Sequence, residues 1–135
     1  MKFVRFYLPA LLWMAAIFVF STRQRVQVSE VFAVQFLFFK SLHILEYGML
    51  FLLWFRALYN TLKPSAPIVV YAALISYIYA VSDEVHQSFV LTREPAVRDI
   101  AIDICGITIA AYFVWKLLPR LPRKLQQWAS DWQLH

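Results

Sequence analysis

Apolar runs of membrane length alternate with short polar breaks along this chain. VRFYLPALLWMAAIFVF (Val4 to Phe20) comes first, then SLHILEYGMLFLLWF from Ser41, whose run continues to about Leu58. APIVVYAALISYIYAVS (Ala66 to Ser82) follows, and a fourth run extends from Pro95 to Leu118. A hydrocarbon core about 30 Å thick is crossed by roughly 20 helical residues, with ~17 as a lower limit. The pattern therefore predicts an all-α integral membrane bundle of four transmembrane helices. Arg5 can snorkel at the edge of the first span. Ser21-Thr22-Arg23-Gln24 offers no small-x-small cleavage pattern, so the first run is expected to be a span rather than a signal peptide.

The second run is short if it starts at Ser41, yet VFAVQFLFF (Val31 to Phe39) lies just upstream. Either the helix passes through Lys40 and tilts, or the segment from Ser29 to Phe39 lies in the interface; the first option is favoured. Pro64, Pro67 and Pro95 suit first helical turns, and Pro119 and Pro122 prevent continuation of the fourth span. Beyond it, Leu125, Trp128, Ala129 and Trp132 fall at helical spacing beside basic residues. The tail 123–134 is thus expected to lie on the membrane surface.

Composition agrees with a membrane protein. Of 135 residues, 61% are hydrophobic and 16% charged, against about 45–50% and about 25% in soluble domains. One domain is expected, with no linker and no repeat. The net charge of +5 is read as basic flanks of membrane spans rather than a nucleic-acid surface. Single Cys105 excludes an intrachain disulfide. Four spans place both termini on one side, with Lys2, Arg5, Arg56, Lys63, Lys116, Arg120, Arg123 and Lys124. The other side has Arg23, Arg25, Lys40, Arg93 and Arg98. Basic residues favour the cytoplasm, so both termini are expected inside.

The polar residues within the runs carry the chemistry. Ionisable groups in a span cost a few kcal/mol at its centre and turn inward to find partners. Lys40, His43 and Tyr47 sit at i, i+3 and i+7 on one face of the second span, with Glu46 on the neighbouring stripe. Asp99, Asp103 and Gly106 sit at i, i+4 and i+7 on the fourth. Glu84, His86 and Gln87 end the third. The topology brings these residues and Arg93 to one level, so a shared outward-facing polar pocket is expected. Asp83, Glu94 and Arg98 are read as plain interfacial charges. His43, His86 and the carboxylates supply enough donors for a metal, but neither H-x-x-x-H nor H-E-x-x-H occurs, so no metal and no cofactor is expected.

Three motifs then meet in order. Lys40-x-x-His43-x-x-x-Tyr47-x-x-Leu50, Ser82-Asp83-Glu84-x-His86-Gln87-x-Phe89 with Arg93, and Asp99-x-x-x-Asp103-x-x-Gly106 together resemble the VanZ-like membrane proteins, from about Phe18 to Tyr112. The chain departs from that pattern at Leu91-Thr92, where members often carry Pro-Gly, and at Asp103, where they often carry Asn. The resemblance implies a protein of the bacterial cytoplasmic membrane linked to the cell envelope and to glycopeptide (teicoplanin) susceptibility; it implies no reaction. The partners expected are the lipid bilayer and a lipid-linked envelope precursor, lipid or glycopeptide. Two uses of the polar residues remain open: a binding pocket, or a small hydrolase or transferase acting on a lipid-linked substrate with His43 or His86 as acid or base. A proton- or ion-coupled carrier using Glu46 and Asp103 is a third.

Overall fold

The computed structural model describes residues 2–22, 30–63, 67–90 and 97–134. Every regular element among them is helical: α1 (Lys2–Ser21), α2 (Phe32–Thr61), α3 (Ile68–Gln87), α4 (Val97–Tyr112) and α5 (Arg123–Asp131). A π-helical turn (Phe113–Leu117) and a 3-10 turn (Leu118–Arg120) prolong α4 until Pro119 and Pro122 end it. Four helices are long and apolar enough to cross a membrane. Arg23, Arg25, Pro64, Arg93, Glu94 and Pro95 lie outside the described residues.

The 30-residue α2 runs straight through Lys40. At 1.5 Å per residue it is about 45 Å long, more than a membrane core needs. The apolar count breaks at Lys40, but the helix does not, because Lys40 is turned into the bundle and buried. The third span likewise outruns the expected end at Ser82. It continues to Gln87 because Asp83, Glu84 and Gln87 face inward and are buried.

Leu12, Leu45, Ile78, Ile109 and Trp115 point outward, as lipid-facing residues should. The inner faces are different in kind. Lipid gives helices little hydrophobic reason to associate, so close packing over small residues and interhelical hydrogen bonds must do it. Here α2 packs most extensively on α4, and the contact is made over glycine. A Cβ added at Gly106 would lie 3.0 Å from the Ile44 carbonyl carbon and collide with the Ile44 carbonyl oxygen. Gly48 faces the Gly106 carbonyl one turn further along α2. Below this crossing Leu50, Phe51, Phe55, Ile107, Ala110 and Val114 build the apolar core, with Ile68, Ala72 and Ala80 from α3.

α1 joins the bundle through side chains that reach carbonyls. Trp13 donates to the Glu46 carbonyl at 2.9 Å, and Tyr79 donates to the Met14 carbonyl at 2.6 Å. At the end holding the start of α1 and the end of α2, Arg56 stacks over Phe6 and donates to the Trp132 carbonyl (2.9 Å) and Gln133 Oε1 (2.8 Å). Asn60 donates to the Gln133 carbonyl at 2.9 Å. These bonds hold the end of α5, where Gln133 adopts φ 61° and Leu134 and Gln133 donate back to Ala129 and Ser130. That is a left-handed helix stop of the Schellman type, usually given to glycine. Ala129 and Leu134 are buried, while Leu125, Trp128 and Trp132 are exposed. So the expected apolar stripe is divided: Ala129 packs inward and the larger three residues do not.

Candidate functional site

The glycine crossing decides what its neighbours can reach. His43 and Tyr47 flank Ile44 and Gly48 on α2; Asp103 precedes Gly106 on α4 by three residues. With the backbones in contact there, short side chains span the gap one turn away. His43 Nδ1 and Asp103 Oδ1 are 3.0 Å apart. A further turn toward the end of the bundle, Lys40 Nζ pairs with Asp99 Oδ1 at 2.6 Å. Asp99 stands in the first turn of α4, where the helix dipole favours a carboxylate. Phe36 lies between two cations, with Lys40 Nζ 5.6 Å and the Arg98 guanidinium 5.1 Å from its ring centre.

The third rung reaches α3. The Tyr47 hydroxyl donates to Asp83 Oδ2 at 3.2 Å, and Gln87, one turn on, donates to the same oxygen at 2.8 Å. Lys40, His43 and Tyr47 thus form a ladder about 10 Å deep along α2, each rung closed by a carboxylate of α4 or α3. Tyr47 has no exposed surface, and Asp103 almost none. The residues form a continuous polar seam between three helices.

Asp83 does not fit the interfacial reading given to it from the sequence. It is buried, because α3 continues for another turn and the Asp83–Gln87 spacing of four turns both toward Tyr47. Arg98, read in the same way, is exposed and 3.6 Å from Asp99. Glu84 is buried on α3. Glu46 is half-buried, and its carbonyl receives the Trp13 bond. His86 stands apart from His43: it packs on the Phe18 ring at 4.3 Å and bonds Thr22 Oγ1 through Nε2 at 3.1 Å, on the α1 side. Arg93 lies outside the described residues.

Two further polar residues were not singled out by the sequence. Ser76 is fully buried, two turns below Asp83 on the same face of α3, and its hydroxyl has no partner among the described residues. Its spacing of seven from Asp83 was the available signal. Tyr79, which ties α3 to α1, had none, since a tyrosine in a span reads as filler.

The arrangement can do two things chemically. It offers charged and hydrogen-bonding groups of both signs along one line. It also holds an imidazole by Nδ1 on a buried carboxylate, which leaves Nε2 as the ring atom for other chemistry. A concavity of about 320 Å³ lined by Arg123, Gln126, Gln127 and Ser130 lies on α5, away from the seam.

The sequence profile of a family described as VanZ/LLP1 matches residues 6–119. That range contains most of α1, all of α2 to α4 and every residue of the seam. Neither a curated protein nor a solved structure matches the chain significantly.

Proposed function

The chain belongs to the VanZ/LLP1 family, and from that premise we propose that its polar seam binds an envelope component at the outer face of the bacterial cytoplasmic membrane. The ligand is the polar head of a lipid-linked precursor, a lipid, or a glycopeptide, and the consequence is altered teicoplanin susceptibility. One observation carries the reading: three acid–base rungs, Lys40–Asp99, His43–Asp103 and Tyr47–Asp83, lie side by side inside a membrane bundle. Buried ion pairs contribute little stability compared with apolar residues of the same volume. Their presence in a lipid-embedded layer points to use rather than to structure. Eight basic residues at the end bearing the termini against five at the seam end support termini inside and a seam outside. Exposed Leu125, Trp128 and Trp132 beside Arg123 and Lys124 suit a tail lying on the inner leaflet.

Glu84→Gln and Asp103→Asn test this. Both remove charge with little change of shape. Membrane insertion and yield should stay unchanged, while the change in teicoplanin susceptibility on expression should be lost. Full retention of the phenotype in both variants would contradict the reading.

The His43–Asp103 contact favours a second reading, a hydrolase or transferase acting on a lipid-linked substrate. Asp103 would orient the imidazole and His43 Nε2 would take the proton of the attacking group. His86 bonds Thr22 on the α1 side, so His43 is the imidazole this reading uses. Purified protein incubated with lipid-linked precursors separates the two: saturable binding without product supports the pocket, and turnover lost in His43→Gln supports the enzyme.

A further inference from the structure

Among the described residues, Asp83 is a buried carboxylate of the seam with no cation paired to it. Lys40 serves Asp99 and His43 serves Asp103. Asp83 is 5% exposed and receives two neutral donors, both on Oδ2. Its Oδ1 is fully buried and has no hydrogen-bond partner among the described residues. Asp103 lies within electrostatic range of both Asp83 and Asp99, so the three carboxylates share one negative field. A proton placed on Oδ1 would not complete the site, since the new O–H would itself need an acceptor. What is missing there is a donor that brings positive charge.

We propose that Asp83 is the receptor for a primary ammonium group of the ligand, bound at Oδ1 beside the Tyr47 hydroxyl. The inference rests on the seam being a binding site and adds the class of ligand. An ammonium has three donors. Oδ1 takes one, and the Tyr47 oxygen, whose own hydrogen goes to Oδ2, keeps lone pairs for a second. A metal ion suits the place less well, because no group of three His, Cys, Asp or Glu side chains with metal-holding geometry exists among the described residues. Asp83 lies one turn, about 6 Å, from Gln87 at the end of α3, so an amine entering from the end of the bundle must have a short flexible stem and must displace the buried Gln87 side chain. Lys40, further out on the same ladder, is placed for an anionic part of the same molecule.

The test uses the full chain in phosphatidylcholine nanodiscs, with empty discs subtracted. Dodecylammonium, dodecanol and dodecyl phosphate are titrated, and the carboxylate stretch is followed by infrared difference spectroscopy. Dodecylammonium should bind at least about tenfold more tightly than dodecanol, the gain of one charge-assisted hydrogen bond, and should shift a carboxylate band. Asp83→Asn keeps an acceptor for Tyr47 and Gln87; it should bring the ammonium down to the alcohol level and leave dodecyl phosphate unaffected. An ammonium that binds no better than the alcohol means that water alone fills the place at Oδ1, and overturns the proposal. So does tight ammonium binding that survives Asp83→Asn. The comparison within the wild-type protein stands even if the variant fails to fold. If phosphate binds and ammonium does not, only the ammonium site falls; if neither binds, the binding seam falls with it.

Discussion

His43→Leu is expected to destabilise the bundle by about 3 kcal/mol, and the double variant His43→Leu/Asp103→Leu by much less than the sum of the singles. The single change leaves Asp103 buried with its partner gone, and breaking a buried pair from one side costs roughly 3–5 kcal/mol. Asp103→Leu is expected to be milder, because a lone imidazole can stay neutral where a lone carboxylate must find a proton. Removing both groups leaves nothing uncompensated, so most of the loss returns. Neutral hydrogen bonds between membrane helices average only about 0.6 kcal/mol; a coupling well above that identifies a charged pair. The check is a double-mutant cycle from unfolding in mixed micelles. Additivity within about 0.5 kcal/mol would mean that the two side chains do not interact.

The second large effect belongs to Gly106. Gly106→Ala is expected to be severe and Gly48→Ala mild, although both add one methyl group to the same crossing. At Gly106 the new Cβ meets the Ile44 backbone, with the carbonyl carbon 3.0 Å away. Backbone cannot rotate aside, so α2 and α4 must separate. Separation lengthens His43–Asp103 and Lys40–Asp99 together. At Gly48 the nearest atom is the Gly106 carbonyl oxygen at 3.4 Å, an ordinary contact. Gly106→Ala should therefore cost at least about 2 kcal/mol, as overpacking does, and should abolish the His43–Asp103 coupling. Gly48→Ala should stay within about 1 kcal/mol and preserve it. Equal effects at the two positions would remove the crossing from its role in placing the seam.

Much of this arrangement is legible in the sequence because helical periodicity is a strict geometric rule. Lys40, His43 and Tyr47 share a face at any tilt of the helix, and so do Asp99, Asp103 and Gly106. Alternating topology then puts the two faces at one level. The pairing itself was not legible. Which carboxylate meets which base depends on how closely α2 and α4 approach, and only the backbone contact at Gly106 sets that. Asp83 was misread because an aspartate near a helix end resembles a solvated one; a single further turn of α3 buries it. The link of α5 to α2 was hidden for a related reason. Arg56 looks like a flank of its span, and nothing local shows that its donors reach Trp132 and Gln133.

The most direct test of the account is the distance between His43 Nδ1 and the Asp103 carboxyl carbon. Dipolar-recoupling solid-state NMR on protein in lipid bilayers, with ¹⁵N-histidine and ¹³C-aspartate labels, measures it. A separation of about 4 Å, a hydrogen-bonded contact, is the predicted result. No detectable coupling to Asp103, with the imidazole signal broadened by contact with acyl chains, would contradict the seam.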